Sequence, residues 1–142
     1  MNIVERVINW NTERGLDKQP YNMNREFGFI MEEMLEGLGF NQLFPSKIEF
    51  RDYIRKSIIQ IIDDTVNQEK NVPISADQAD AFGDIIVFAI GALMKICNQN
   101  PELGTPDELL ERIMLANDTK GNKVDADGKI IKDKTFVEPT HL

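Results

Sequence analysis

Cysteine and histidine are almost missing from this 142-residue chain, which holds one of each. The lone Cys97 has no partner for an internal disulfide, which fits a reducing compartment. The lone His141 falls short of the paired Glu-x-x-His motifs that a di-iron carboxylate protein needs, so that enzyme class is excluded. Basic residues are also scarce, 16 against 24 acidic ones, and the net charge is −8. Such a balance argues against general affinity for a nucleic acid polymer or an anionic membrane surface. No apolar run reaches the ~20 residues that a membrane span requires, and no basic-then-apolar leader opens the sequence. The expectation is a cytoplasmic protein with no membrane partner.

What is present is helical periodicity. Asn2 to Arg14 places Ile3, Val4, Val7, Ile8 and Trp10 on one side and stops at Gly15. A second segment, Asn24 to Leu38, has Phe27, Ile30, Met31, Met34, Leu35 and Leu38 as its apolar face, with Gly37, Gly39 and Pro45 marking its end. Three more helices open on capping boxes, in which a hydroxyl and a Glu or Gln three residues on satisfy each other's orphan N–H groups. Ser46 with Glu49 begins one that runs to Asn67, and Ser75 with Gln78 begins one that runs to Asn98. Thr105 with Glu108, helped by Pro106 at the first helical position, begins the last, which ends at Asn117. After that, Lys123-Val124, the turn Asp125-Ala126-Asp127-Gly128 and Lys129 to Lys132 read as a small hairpin. The length suits a single domain, residues 1–142. Its expected form is an all-α bundle of about five helices over 1–117, then a short β-hairpin and irregular tail over 118–142.

Acids stand out in two of these helices. Glu33 and Glu36 are neighbours on one helix face, with Glu32 beside them, and Asp80 and Asp84 are neighbours on another. Asp84 runs directly into Ile85 to Met94, which is apolar on every side and reads as a buried core helix. Two unit charges about 4 Å apart repel by roughly 4 kcal/mol at an effective dielectric near 20. Carboxylates gathered at the mouth of a core must therefore splay into solvent, take up protons or hold a cation. An all-oxygen donor set suits Mg²⁺, with Mn²⁺ as a substitute. Asp63 and Asp64, at the end of their helix, are a weaker acidic pair that opposes the helix dipole.

Two further groups invite a ligand. Lys120, Lys123, Lys129, Lys132 and Lys134 cluster late in an otherwise acidic chain. They are either a hydrated tail or a phosphate clamp, and Asn117 and Lys120, three residues apart, can reach one phosphate together. Trp10 and Asn11 are either a core anchor and its neighbour or a pair that meets the ring system of a base.

In this order the motifs resemble the all-α nucleoside triphosphate pyrophosphohydrolases, the MazG-like superfamily, and in particular its phosphoribosyl-ATP-pyrophosphohydrolase-like phage and bacterial branch. That family carries E-x-x-E on one core helix and E-x-x-D on a later one. Glu33-Met34-Leu35-Glu36 matches the first, with Glu32 as the extra acid that often precedes it. Gly83-Asp84 and the apolar run after it match the end of the second, although Ala81 stands where the motif has Glu and Asp80 is the expected substitute. The tail adds Asn117-Asp118-Thr119-Lys120, Asp125-Ala126-Asp127-Gly128-Lys129, and Lys132-Asp133-Lys134-Thr135-Phe136 with Pro139.

The resemblance implies Mg²⁺-dependent hydrolysis of a nucleoside or deoxynucleoside triphosphate to the monophosphate and pyrophosphate. It implies metal ligands Glu33, Glu36, Asp80 and Asp84, a water-orienting carboxylate at Glu32 or Glu33, and phosphate ligands Asn117, Lys120 and Lys132. It also implies a homodimer or homotetramer. The competing reading is a catalytically weak helical nucleotide-binding or regulatory protein that keeps the fold.

Overall fold

A computed structural model describes residues 2–67 and 75–139, and within them the chain is all-α. His141 lies outside that set. The five α-helices among the described residues are α1 (Ile3–Glu13), α2 (Met23–Gly37), α3 (Lys47–Asn67), α4 (Ser75–Gln99) and α5 (Pro106–Asp118). No helix among these residues is long and apolar enough to cross a membrane.

Local chemistry explains where the helices start. Thr105 and Glu108 form the full reciprocal box ahead of α5, with bonds of 3.2 and 3.1 Å. The Ser46 hydroxyl accepts the Glu49 N–H at 3.2 Å ahead of α3. Ser75 sits inside α4 as its first residue, so the cap of that helix falls outside the described residues. A fourth box, Asn2 with Glu5, opens α1 and uses a carboxamide in place of the hydroxyl. Glycines in the left-handed region stop the first two helices, Gly15 at φ +70° and Gly39 at φ +79°.

The chain divides into two compact units. One contains α2 and α3. Gly28 of α2 lies against Ile54 of α3, where an added Cβ would stand 3.9 Å from Ile54 Cγ2. Phe50 and Ile54 are buried there. The connector between the helices is part of this core. Phe40 and Phe44 pack at ring distances of 5.3–5.5 Å on Phe50 and Tyr53 of α3 and on each other. Tilted and edge-on pairs of this kind contribute about 0.5–1.5 kcal/mol each beyond their burial.

The other unit contains α1, α4, α5 and the C-terminal segment. Arg6 of α1 and Arg14, the residue that caps its end, tie it to α5. Arg6 forks onto the Asp118 carboxylate and stands 3.6 Å from Glu111. Arg14 lies over the Trp10 ring at 4.3 Å and donates to the carbonyls of Asp118 and Lys120, both at 3.3 Å. The Asp118 carbonyl ends α5, where a helix lacks internal donors and favours positive charge, and that of Lys120 lies just past the cap.

Two sequence expectations are corrected here. The apolar stretch of α4 is not a buried core helix within its unit. Cys97 is buried, but Phe88 is 76% exposed and Val87 66%, and Ile86, Ile90, Met94 and Ile96 are exposed as well. An apolar composition says what a helix can bury, and the packing partners available in its own unit cover only part of α4. The expected β-hairpin is likewise reduced to one isolated antiparallel bridge, Val124 to Ile130, with no strand among the described residues. The Asp125 carboxylate accepts the N–H groups of Asp127 and Lys129 at 2.9 and 3.1 Å, and Gly128 adopts φ +80°. The turn is therefore formed as expected. The ladder ends just past it because the chain turns again, with the Phe136 N–H on the Asp133 carbonyl at 3.0 Å.

Candidate functional site

The acids of α2 divide by depth. Glu32 is only 3% exposed, and its Oε1 accepts from Arg51 Nε of α3 at 2.9 Å. Glu33 is exposed and Glu36 half-buried. On α4, Asp80 and Asp84 are exposed one turn apart, and Ala81 between them is half-buried. The carboxylates of Glu36, Asp80 and Asp84 meet no hydrogen-bond donor or cation among the described residues. Among those residues, no three Asp, Glu, His or Cys side chains form a group able to hold a metal ion. In donor chemistry the two pairs fit Mg²⁺ or Mn²⁺, since both offer carboxylate oxygen only. Asp63 and Asp64 are exposed, and Asp64 accepts from Gln60 at 2.8 Å.

At the far end of α5 the structure brings together residues that the sequence groups only by charge. Lys120 Nζ lies 5.7 Å and Lys132 Nζ 4.8 Å from the centre of the Phe136 ring. Asn117 is half-buried one turn before Lys120, and its carbonyl accepts the Lys120 N–H at 3.0 Å. The segment carrying Phe136 is docked through Thr119. Thr135 Oγ1 donates to the Thr119 carbonyl, and the Val137 N–H donates to Thr119 Oγ1, both at 2.7 Å. The Thr119 hydroxyl in turn donates to the Ala116 carbonyl at 2.6 Å. Asp133 Oδ1 accepts the N–H of Thr135 at 2.8 Å and shares the single Thr135 hydroxyl proton with the Thr119 carbonyl, and these contacts hold its carboxyl below the ordinary range. The hydroxyl bond is the larger cause.

The candidate base-binding pair is differently occupied. Trp10 supports the Arg14 guanidinium, and its Nε1 is buried with no hydrogen-bond partner among the described residues. Asn11 donates its carboxamide N–H to the Val7 carbonyl of its own helix at 2.8 Å.

Sequence reasoning missed Arg51, Arg14, Thr119, Thr135 and Phe136 as members of these constellations. Arg51 is 19 residues from Glu32 and Arg14 more than a hundred from the carbonyls it caps, so no local spacing marks them. For Phe136 a signal existed, an aromatic embedded in the lysine-rich stretch, which suits a cation partner. No family model, curated protein or solved structure matches the chain.

Proposed function

We propose that this chain is a cytoplasmic, Mg²⁺-dependent nucleoside triphosphate pyrophosphohydrolase, cleaving a triphosphate into the monophosphate and pyrophosphate. The observation that carries the reading is a separation of charge by type. Carboxylates of Glu36, Asp80 and Asp84 lack counter-charges among the described residues, whereas two ammonium groups of this acidic chain gather at one ring. The first suits a hard cation and the second a phosphate chain.

Glu33, Glu36, Asp80 and Asp84 are the proposed metal ligands. When bound, the ion screens phosphate charge and lowers the pKa of water at the site. Glu33 is the better base for that water, because Glu32 is buried against Arg51 and acts by fixing α2 on α3. Water oxygen forms the new bond to the α-phosphorus as the bond to the bridging oxygen breaks, and the water proton passes to Glu33. Lys120 and Lys132, with Asn117 nearby, stabilise charge that builds on the departing pyrophosphate. A second copy of the chain is the proposed cover for the exposed apolar side of α4, giving a homodimer or homotetramer.

The deciding experiment incubates the protein with a panel of NTPs and dNTPs and Mg²⁺ or Mn²⁺, and measures monophosphate and pyrophosphate. Stoichiometric release of both supports hydrolysis at the α-phosphate. Nucleotide binding without pyrophosphate release would replace this reading with sequestration, and release of inorganic phosphate would move the attack to the γ-phosphorus.

A further inference from the structure

We infer that Phe136 is a positioning residue, which gathers Lys120 and Lys132 into one subsite for a diphosphate group. The inference rests on the reading of those lysines as phosphate ligands, and it adds a residue that touches no phosphate itself.

Two ammonium groups repel each other, and a lysine side chain has four rotatable bonds over which to scatter. An attraction common to both favours holding two of them at one ring. The negative faces of an aromatic ring supply it, since a cation within about 6 Å of the ring centre is drawn to its quadrupole. Both ammonium groups meet that distance, at 5.7 and 4.8 Å. The two lysines reach the ring from different places. Lys120 follows the last turn of α5, and Lys132 follows the Val124–Ile130 bridge.

The ring itself is held by backbone. Thr135 and Val137 flank Phe136 and both bond to Thr119, the residue next to Lys120. One threonine thus registers the aromatic segment against the end of α5. Arg14 adds a second restraint on the same turn through the Lys120 carbonyl. A ligand that engages both ammonium groups then loses less side-chain freedom on binding than it would against two untethered lysines. Two cations held at one ring offer a charge for each end of a ligand with linked anionic centres, such as pyrophosphate.

Calorimetric titration of the full chain with inorganic pyrophosphate, at fixed ionic strength, tests this. Phe136→Leu is expected to weaken binding by about 3–10-fold, the range of an exposed cation–aromatic contact shared by two cations, while Phe136→Trp retains it. Lys132→Ala should cost affinity in the wild-type background and less in the Phe136→Leu background, because the two residues act together. In turnover assays Phe136→Leu should raise KM more than it lowers kcat. Equal affinity in wild type and Phe136→Leu overturns the inference, as does an equal loss in the Leu and Trp variants. Failure of wild type to bind pyrophosphate overturns it too. The hydrolysis reading fails separately: ring-dependent pyrophosphate binding without monophosphate production would retire the enzyme and leave the subsite. Turnover with an unchanged KM in Phe136→Leu would do the reverse.

Discussion

On α2 a carboxylate is sealed from water and matched to an arginine; on α4 two carboxylates stand in solvent with no partner among the described residues. In the sequence the two helices look alike, acids at helical spacing beside an apolar face. The difference lies in what the neighbouring element supplies. α3 presents Arg51 to Glu32, and a buried pair of this kind fixes how the two helices meet. The α4 acids contribute nothing comparable to their unit, and their close spacing is a mutual repulsion that the fold keeps. The Glu32 carboxylate has its donor already, and those of Asp80 and Asp84 meet none among the described residues.

The largest effect should come from breaking the matched pair. Arg51→Ala leaves a buried carboxylate uncompensated and should cost about 2–4 kcal/mol, a buried-pair value reduced for the part-exposure of Arg51. Replacing both partners, Glu32→Gln with Arg51→Met, should recover much of that loss. Urea denaturation measures each. If the single variant is as stable as wild type, Glu32 is not a structural carboxylate and returns as a candidate base.

On α4 the pattern should invert. Asp80→Asn and Asp84→Asn should each lower turnover on the order of 100-fold or more, the scale of removing charge that stabilises a transition state. Each should leave metal-free stability within about 0.5 kcal/mol of wild type, as for exposed positions. Mg²⁺ at ten times its Kd should stabilise wild type by about 1.4 kcal/mol, and the variants less. A normal rate for Asp80→Asn would show that it does not stand in for the motif acid missing at Ala81, leaving Asp77, in the first turn of α4, to test. Destabilisation by either variant without metal would erase the contrast with α2.

Helix existence and limits were legible because their causes are local. Apolar periodicity, the Thr105–Glu108 box and the positive-φ glycines at 15 and 39 all act within a few residues. Even the Asn2–Glu5 box was readable, had carboxamides been counted with hydroxyls. The candidate acids and lysines were legible as residue types. Their partners were not, since Arg51 reaches Glu32 across a helix pair and Thr135 reaches Thr119 across a turn. The apolar run of α4 was legible as well, but its exposure was not, because a pattern does not contain the surfaces that the fold sets beside it. The turn of the expected hairpin was legible, but its ladder stops at the single Val124–Ile130 bridge.

Lysines extend the comparison to the opposite charge. Lys120→Ala should reduce kcat/KM by roughly ten- to a hundred-fold, the equivalent of a charge-assisted hydrogen bond of about 1.5–3 kcal/mol. Stabilisation by Mg²⁺ without nucleotide should stay intact. Lys134→Ala is the control, an exposed lysine with a small expected effect. Equal losses from both, fading as salt is added, would mean a diffuse attractive field in place of a local clamp.

Asp133 gives the smallest and most discriminating case, because it is exposed like the α4 acids yet has donors like Glu32. Thr135 gives it a hydroxyl and an N–H, and these lower its pKa from the ordinary value of 3.8. The docked segment therefore favours the charged form. That preference is fully present above the ordinary value and is lost as pH falls through the lowered folded value. Docking should be unchanged at neutral pH and should loosen only in acid below 3.8. The Thr135 amide resonance, followed by NMR, should titrate in that window in wild type and lose the step in Asp133→Asn. Gly121→Ala disturbs the same carboxylate at neutral pH, since its Cβ would stand 2.6 Å from Asp133 Oδ2. It should shift the Thr135 resonance and weaken pyrophosphate binding without touching the α4 acids. A Thr135 resonance that is flat through acid in wild type would show that the donors of Asp133 do no holding, and would leave it as uninvolved in its unit as Asp80 and Asp84.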